Sequence, residues 1–392
     1  MSDPIVIVGM ARTPMGGFQG DFSAVSATEL GATAIRAALE RSGLQPDQVD
    51  EVLMGCVLPA GLGQAPARQA AMAAGLPKQV PCSTVNKVCG SGMKTVMMAA
   101  SELQSGNAEV IVAGGMESMT NAPYMLPKAR GGQRLGHGEL LDHMFYDGLQ
   151  DAYAGGLMGA FGESCADKYQ FTRQQQDDYA IESLRRANAA IEAGHFNNEI
   201  APVTVKTRKG DRVVDTDEQP GKARPDKIPA LKPAFKKDGT ITPANASSIS
   251  DGAAALVLIR QSEALERGLK PIAAIRGSSQ YAQEPEWFTT APVGAMQKLL
   301  SNLDWSVDDV DLFEVNEAFA VVSMAAMQEL NIPHHKVNIH GGATALGHPL
   351  GASGARIIVT LLGALQTHGK SKGVASLCIG GGEATAIAIE RL

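Results

Sequence analysis

One feature constrains the fold more than any other: two stretches, in opposite halves of the chain, repeat the same order of residues. The first runs Val85-Asn86, then Ser91-Gly92, an Ala- and Met-rich helical segment, and Val110-Ile111-Val112-Ala113 entering Gly114-Gly115-Met116-Glu117. The second runs Val337-Asn338, then Ser353-Gly354, a helical segment to about Leu365, and Ser376-Leu377-Cys378-Ile379 entering Gly380-Gly381-Gly382-Glu383. Ser91 precedes Gly114 by 23 residues and Ser353 precedes Gly380 by 27, so both copies hold one helix and one strand in the same order. Two related βα units that pack symmetrically bring their loop ends together at one site, as ligands gather at the carboxyl ends of strands in open α/β sheets.

Elsewhere short β-branched runs alternate with longer helical ones, the pattern of layered α/β architecture. Strands are expected at Ile5 to Val8, Val49 to Val57 and Val110 to Ala113. Helices are expected from Thr28 to Ser42, with Gly43 as C-terminal cap, and from Gly92 to Ser105, stopping at Gly106. Residues 120–248 change character. Gly131-Gly132, Gly155-Gly156 and many prolines interrupt them, with one clear helix from its N-cap Thr172 to Ala193. That stretch reads as an insertion covering a site. The expected division is an N-terminal half over residues 1–119, completed by about 249–270, the insertion at 120–248, and a C-terminal half at 271–392.

Composition excludes several classes of function. At 392 residues, 44% apolar and 19% charged, the chain has material for a large core and is not disordered. A net charge of −7 has the wrong sign for general nucleic-acid binding. Residues 201–240 nevertheless carry ten Lys or Arg against six Asp or Glu. They read either as a solvated surface or as a landing area for a polyanionic small molecule. Five cysteines without a CxxC pair argue against disulfides and structural zinc and for a reducing compartment. No apolar run of membrane-spanning length is evident, the start reads as neither signal nor transit peptide, and the last three residues are not the peroxisomal tripeptide. The expectation is a cytoplasmic enzyme with neither nucleic-acid nor membrane partner.

Four segments carry chemistry. Cys89, in Asn86-Lys87-Val88-Cys89-Gly90-Ser91-Gly92-Met93, stands just before a helix, whose positive end favours a thiolate; the alternative is a small buried apolar residue. His348 lies in a Gly-rich loop, Gly347-His348-Pro349, where it suits proton transfer or else structures the loop. Cys378 precedes Gly380-Gly381-Gly382, whose backbone N–H groups can meet an oxyanion. P-loop and dinucleotide-binding spacings are absent. Asn316, in Asn316-Glu317-Ala318-Phe319, either fixes a water or caps a helix. His334-His335 reads as a solvent-facing turn rather than a metal site, because no Cys or acidic partner stands at ligand spacing from it. Two thiols, an imidazole, an amide and free backbone donors suit acyl transfer through a thioester.

These segments resemble the signature regions of the thiolase family in the family's own order, and the similarity covers essentially the whole chain. The resemblance implies a five-layered αβαβα fold of two similar halves with an inserted loop domain. It implies a reversible Claisen condensation of two acetyl-CoA into acetoacetyl-CoA and CoA, with thiolysis of longer 3-ketoacyl-CoA chains in fatty-acid breakdown as the alternative. By that likeness Cys89 is the acylated nucleophile, His348 its base, and Cys378 the acid or base at the second substrate. Asn316 holds a water at the enolate oxygen, and the N–H groups of Cys89 and Gly380 bind the oxyanion. Ser247 contacts the pantetheine, Met158 with Gly159 and Glu163 lines the acyl pocket, and Arg224 lies in the adenine and phosphate region; Ala318, Phe319 and Phe235 complete the substrate contacts. CoA thioesters are substrates, no cofactor or metal is implied, and a homotetramer built from dimers is expected. Three departures bear on specificity. Leu157 stands where many short-chain relatives have His, Glu383-Ala384-Thr385 follows the three glycines, and Phe288-Thr289-Thr290-Ala291-Pro292 replaces a more usual Met- and Gly-rich segment.

Overall fold

A computed structural model describes residues 3–392. Its centre is a run of nine strands, ordered Leu312–Val315, Lys372–Ile379, Glu383–Arg391, Ala273–Ala282, Ile5–Arg12, Ser250–Arg260, Val110–Ser118, Glu51–Gly55 and Cys82–Val85. The run is two half-sheets joined by a narrow seam, where Val6 and Ile7 pair with Ala274 and Ala273. Each half has an antiparallel long pair, Val110–Ser118 with Ser250–Arg260 in one and Lys372–Ile379 with Glu383–Arg391 in the other. A parallel neighbour flanks each, Glu51–Gly55 and Leu312–Val315 respectively.

Layering follows from side-chain alternation, which sends successive strand residues to opposite faces. Val110, Val112 and Met116 pack outward against the helix Ala27–Ser42, while Ile111 and Ala113 point inward. In the other half Ile387 and Ile389 point inward, whereas Ala384, Ala386 and Ala388 pack outward against the helices Ala291–Asn302 and Ala320–Leu330. Between the half-sheets lie the helices Ser91–Ser105 and Leu350–Thr367. The five layers are thus helix, sheet, helix, sheet, helix.

The two central helices are the repeated helices of the sequence, and small residues let them touch. A Cβ on Gly92 would lie 2.8 Å from the Ala355 nitrogen, and one on Gly354 would lie 2.3 Å from that of Met93. Leu350–Thr367 has 18 residues with mean hydropathy 1.2, so the chain does hold one helix of spanning length and apolarity; 89% of it is buried between the two sheets. Its even apolarity reflects cover on all sides.

Local signals placed the helix ends accurately. Gly43 and Gly106 adopt φ of 78° and 79° as C-caps, and Ser26 and Thr172 form capping boxes with Glu29 and Gln175. Strand ends were less legible. Ile5–Arg12 and Val110–Ser118 run well past their apolar stretches, and Glu51–Gly55 is shorter than Val49 to Val57. Residues 120–248 contain a short ribbon, Tyr124–Met125 with Leu141–Asp142, the helices Met158–Tyr169 and Arg173–Glu192, and the hairpin Val203–Thr207 with Gly210–Val214.

Candidate active site

Cys89 is held by a tight turn. Val88 has φ of 46°, a costly conformation for a β-branched residue, and its N–H donates to Asn86 Oδ1 at 2.9 Å. Ser91 Oγ accepts from the Lys87 N–H at 2.9 Å and donates to the Val88 carbonyl at 2.6 Å. The turn presses on the opposite half, since a Cβ on Gly90 would lie 2.4 Å from Ile379 Cδ1. The backbone N–H groups of Gly380 and Cys89 lie near the Cys89 sulfur and favour its ionised form.

Helix position had suggested a depressed thiol pKa, and the structure corrects this. Burial dominates and pushes Cys89 up to about 11, against the opposing pull of the two N–H groups. Cys378 is pushed well above its usual range, first by burial and then by the charge of Cys89 beside it. The Cys89 turn and the strand end carrying Cys378 pack on each other, with a Cβ on Gly90 falling 2.4 Å from Ile379 Cδ1 and one on Gly380 3.7 Å from Val88 Cγ1, so each half brings a sulfur to one site.

His348 follows Gly347, whose φ of 109° suits glycine alone. Its ring is buried and held well below its usual pKa, at about 3, by burial and then by Arg356. Its Nδ1 lies 2.6 Å from Ser353 Oγ, and that hydroxyl donates to the Pro349 carbonyl at 2.9 Å. With the Ser353 proton so engaged, Oγ accepts from Nδ1–H and Nε2 keeps the lone pair. Among the described residues Nε2 has no partner, and neither has Asn316 Oδ1, while Asn316 Nδ2 lies 3.5 Å from His348 Nδ1. Capping is excluded for Asn316: the helix Ala320–Leu330 has Phe319 at its N-cap, and the Asn316 N–H goes to the Ser376 carbonyl.

A cavity of ≈ 500 Å³ opens onto this group, lined by Met158, Phe235, Ser247, Ala318, Phe319 and His348 among others. Leu157 lines it too. A Cβ on Gly380 would sit 3.5 Å from Met158 Cε, which places Met158 over the catalytic floor. Glu163 is not in the cavity. Its carboxylate turns away and accepts from the Thr240 and Ile241 N–H groups, holding the segment that carries Phe235. Phe288 likewise packs beneath Phe319, at 6.5 Å between ring centroids, rather than lining the wall. A second cavity of ≈ 310 Å³ adjoins the first at Pro243 and Ser248 and is lined by Arg224, Lys227 and Leu231. Only those two of the ten basic residues at 201–240 line it; Arg212, Lys222 and Lys236 pair with Asp21, Glu218 and Asp167.

Buried carboxylates do work that the motifs had not disclosed. Glu117 accepts from the N–H groups of Val57, Leu58 and Gly351, tying the first half to the helix after His348. Glu317 accepts from Tyr179, Ser183, Asn338 and Thr344, joining the helix Arg173–Glu192 to the His348 loop. The only sequence signal for either is a charge set among apolar residues. Glu383 pairs with Lys87 beside the Cys89 turn. His334 stacks on Tyr179 at 5.1 Å, so only His335 of that pair faces solvent.

Comparison with known proteins agrees with this geometry. The family model described as thiolase, N-terminal domain, matches residues 5–262, and that described as thiolase, C-terminal domain, matches residues 269–391. Acetyl-CoA acetyltransferase 2 of Arabidopsis thaliana is 54% identical over 99% of this chain and 97% of its own length. Acetyl-CoA acetyltransferase of Cupriavidus necator is 50% identical over 99% of each. Among solved structures, the acetyl-CoA acetyltransferase of Bacillus anthracis superposes with a TM-score of 0.97 at 42% identity, covering 100% of this chain and 99% of its own. A thiolase from Ascaris suum in complex with coenzyme A gives 0.94 at 45% identity, covering 99% of this chain and 100% of its own. With both family domains matched in order along nearly the full length, the chain belongs to the thiolase family.

Proposed function

We propose that this chain is an acetyl-CoA C-acetyltransferase, converting two acetyl-CoA into acetoacetyl-CoA and CoA and running the reverse. The observation that carries the reading is a His348 with a free Nε2 on the wall of an apolar cavity, where the Cys89 turn and the strand end after Cys378 pack together next to Met158 of the same wall. His348 Nε2 takes the Cys89 proton as the sulfur attacks the acetyl carbon. The N–H groups of Cys89 and Gly380 face the oxyanion, and CoA leaves with the proton from His348. His348 Nε2, neutral again, takes the Cys378 proton, and the resulting thiolate removes an α-proton from the second acetyl-CoA, with Asn316 and the protonated His348 at the enolate oxygen. The carbanion attacks the acetyl group, and His348 returns its proton to the departing Cys89. A nucleophile kept neutral until substrate arrives avoids an isolated buried thiolate.

Ser247, Ala318, Phe319 and Phe235 bind the pantetheine arm, and Arg224 with Lys227 faces the phosphates. Leu157 and Met158 narrow the acyl end, which, with relatives named acetyl-CoA acetyltransferases, supports acetyl over long-chain substrates. We read the assembly as a homotetramer from the family resemblance, and Leu135 and Leu140 on the ribbon segment, 99% and 64% exposed, offer it an apolar contact. Mass spectrometry after mixing with acetyl-CoA tests the chemistry. Wild type gains one acetyl group at Cys89, and C378A is acetylated but does not condense. Acetylation of C89A at this site, or normal condensation by C378A, refutes the assignment. Comparing kcat/KM for thiolysis of acetoacetyl-CoA with that for a long 3-ketoacyl-CoA tests chain length; preference for the long chain refutes acetyl specificity.

A further inference from the structure

Away from the cleft, three imidazoles converge from positions with no ligand spacing along the chain. His195 follows the helix Arg173–Glu192, His340 lies in the loop leading to His348, and His368 ends the helix Leu350–Thr367. One ring nitrogen from each lies within 4.8 Å of the others, and His340 Nε2 is 3.0 Å from His368 Nε2. The ring centroids are 4.7, 5.1 and 5.6 Å apart.

Ordinary hydrogen bonding does not account for the cluster. The His340–His368 contact uses one nitrogen of each ring, and Nδ1 of His195 and of His340 stay buried without a partner.

We propose that His195, His340 and His368 form a binding site for a divalent transition-metal ion of borderline softness, with Zn2+ as its natural probe. Tetrahedral Zn–N bonds of about 2.0–2.1 Å set the ligand nitrogens roughly 3.3 Å apart. The His340–His368 pair is already near that spacing. The half-buried His195 closes the remainder by side-chain rotation. Exposed His368 leaves the fourth position to water. The nearby cations are Lys370 and Arg12, and Arg12 is compensated by Asp217 and Glu199. The ion clamps the segment after Arg173–Glu192, the His348 loop and the end of a central helix. It takes no part in acyl transfer.

The test titrates full-length protein, with Cys89 first blocked by iodoacetamide, with Co2+ and then Zn2+. One Co2+ per chain is expected, with four-coordinate visible bands and no thiolate charge-transfer band. H368A and H195Q should each weaken binding at least tenfold, and H368A with its Cys89 left unblocked should keep wild-type kcat in metal-free buffer, showing that it folds. Zn2+ should raise Tm in wild type and not in H368A. No bound Co2+, a thiolate band, or equal affinity in wild type and both variants would overturn the proposal.

Discussion

Among single residues, Ser353 decides what His348 is able to do. Because its hydroxyl donates to Pro349, it accepts from Nδ1 and directs the ring's lone pair toward the cavity. Losing one hydrogen bond to a ring that becomes charged costs about 1.5–3 kcal/mol. S353A should therefore slow acetylation roughly 10- to 100-fold with little change in KM; rapid-quench measurement of acetyl-enzyme checks this, and an unchanged rate removes the positioning role. His348 also links stability to pH. Its pKa falls from 6.5 to about 3 on folding, so the unfolded chain binds more protons between those values, and its contribution is lost as pH drops from 6.5 toward 3. H348N cannot titrate. Its stability deficit at pH 8, measured by denaturant unfolding, should narrow as pH falls to 4; a constant gap would contradict the buried neutral ring. The sequence marked His348, Cys89 and Cys378 because each interrupts a distinctive local pattern. It did not mark Glu117, Glu317 or Glu163 for their roles, since what they hold lies 61, 138 and 77 residues away, as with Cys56, Tyr179 and Thr240.

The paired central helices show how one element sets another. Gly92 faces the backbone of Gly351 and Ala355 at a distance that admits no methyl group. G92A gains about 1 kcal/mol of helix propensity but forces apart two helices that carry Cys89 and Ser353 near their starts. Overpacking typically costs about 1–3 kcal/mol, and more against backbone. The expected outcome is a net loss of about 2 kcal/mol in unfolding free energy, with slower acetylation. A stabilised G92A with full activity would mean the helices have room to move. Helix ends were legible because caps are local hydrogen-bond events, as at Gly106 and Thr172. Strand ends were not. Ile5–Arg12 extends to a charged residue only because Asp217, 205 residues away, receives the Arg12 guanidinium in the core.

For the molecule as a whole, two half-sheets meet back to back across the central helices, so the carboxyl ends of repeated βα units from both halves face one floor. Assembly adds a further level. Leu135 and Leu140 stand in water in the single chain, and burying them in a partner contributes roughly 25 cal/mol per Å². If the chain forms the tetramer we propose, L135D with L140D should convert it into dimers by mass photometry while each chain still acetylates; an unchanged mass would place the contact elsewhere. By itself the sequence determined the duplicated βα pattern, the helix caps, the reactive side-chain types and hence the family, because these depend on neighbours within a few residues. Only the tertiary structure decided that Cys89 rests as a thiol with a pKa near 11, that His348 stays neutral, and that Glu163 leaves the pocket. Desolvation and long-range hydrogen bonds depend on what the rest of the chain places around a group, and that is fixed only once the layers have closed.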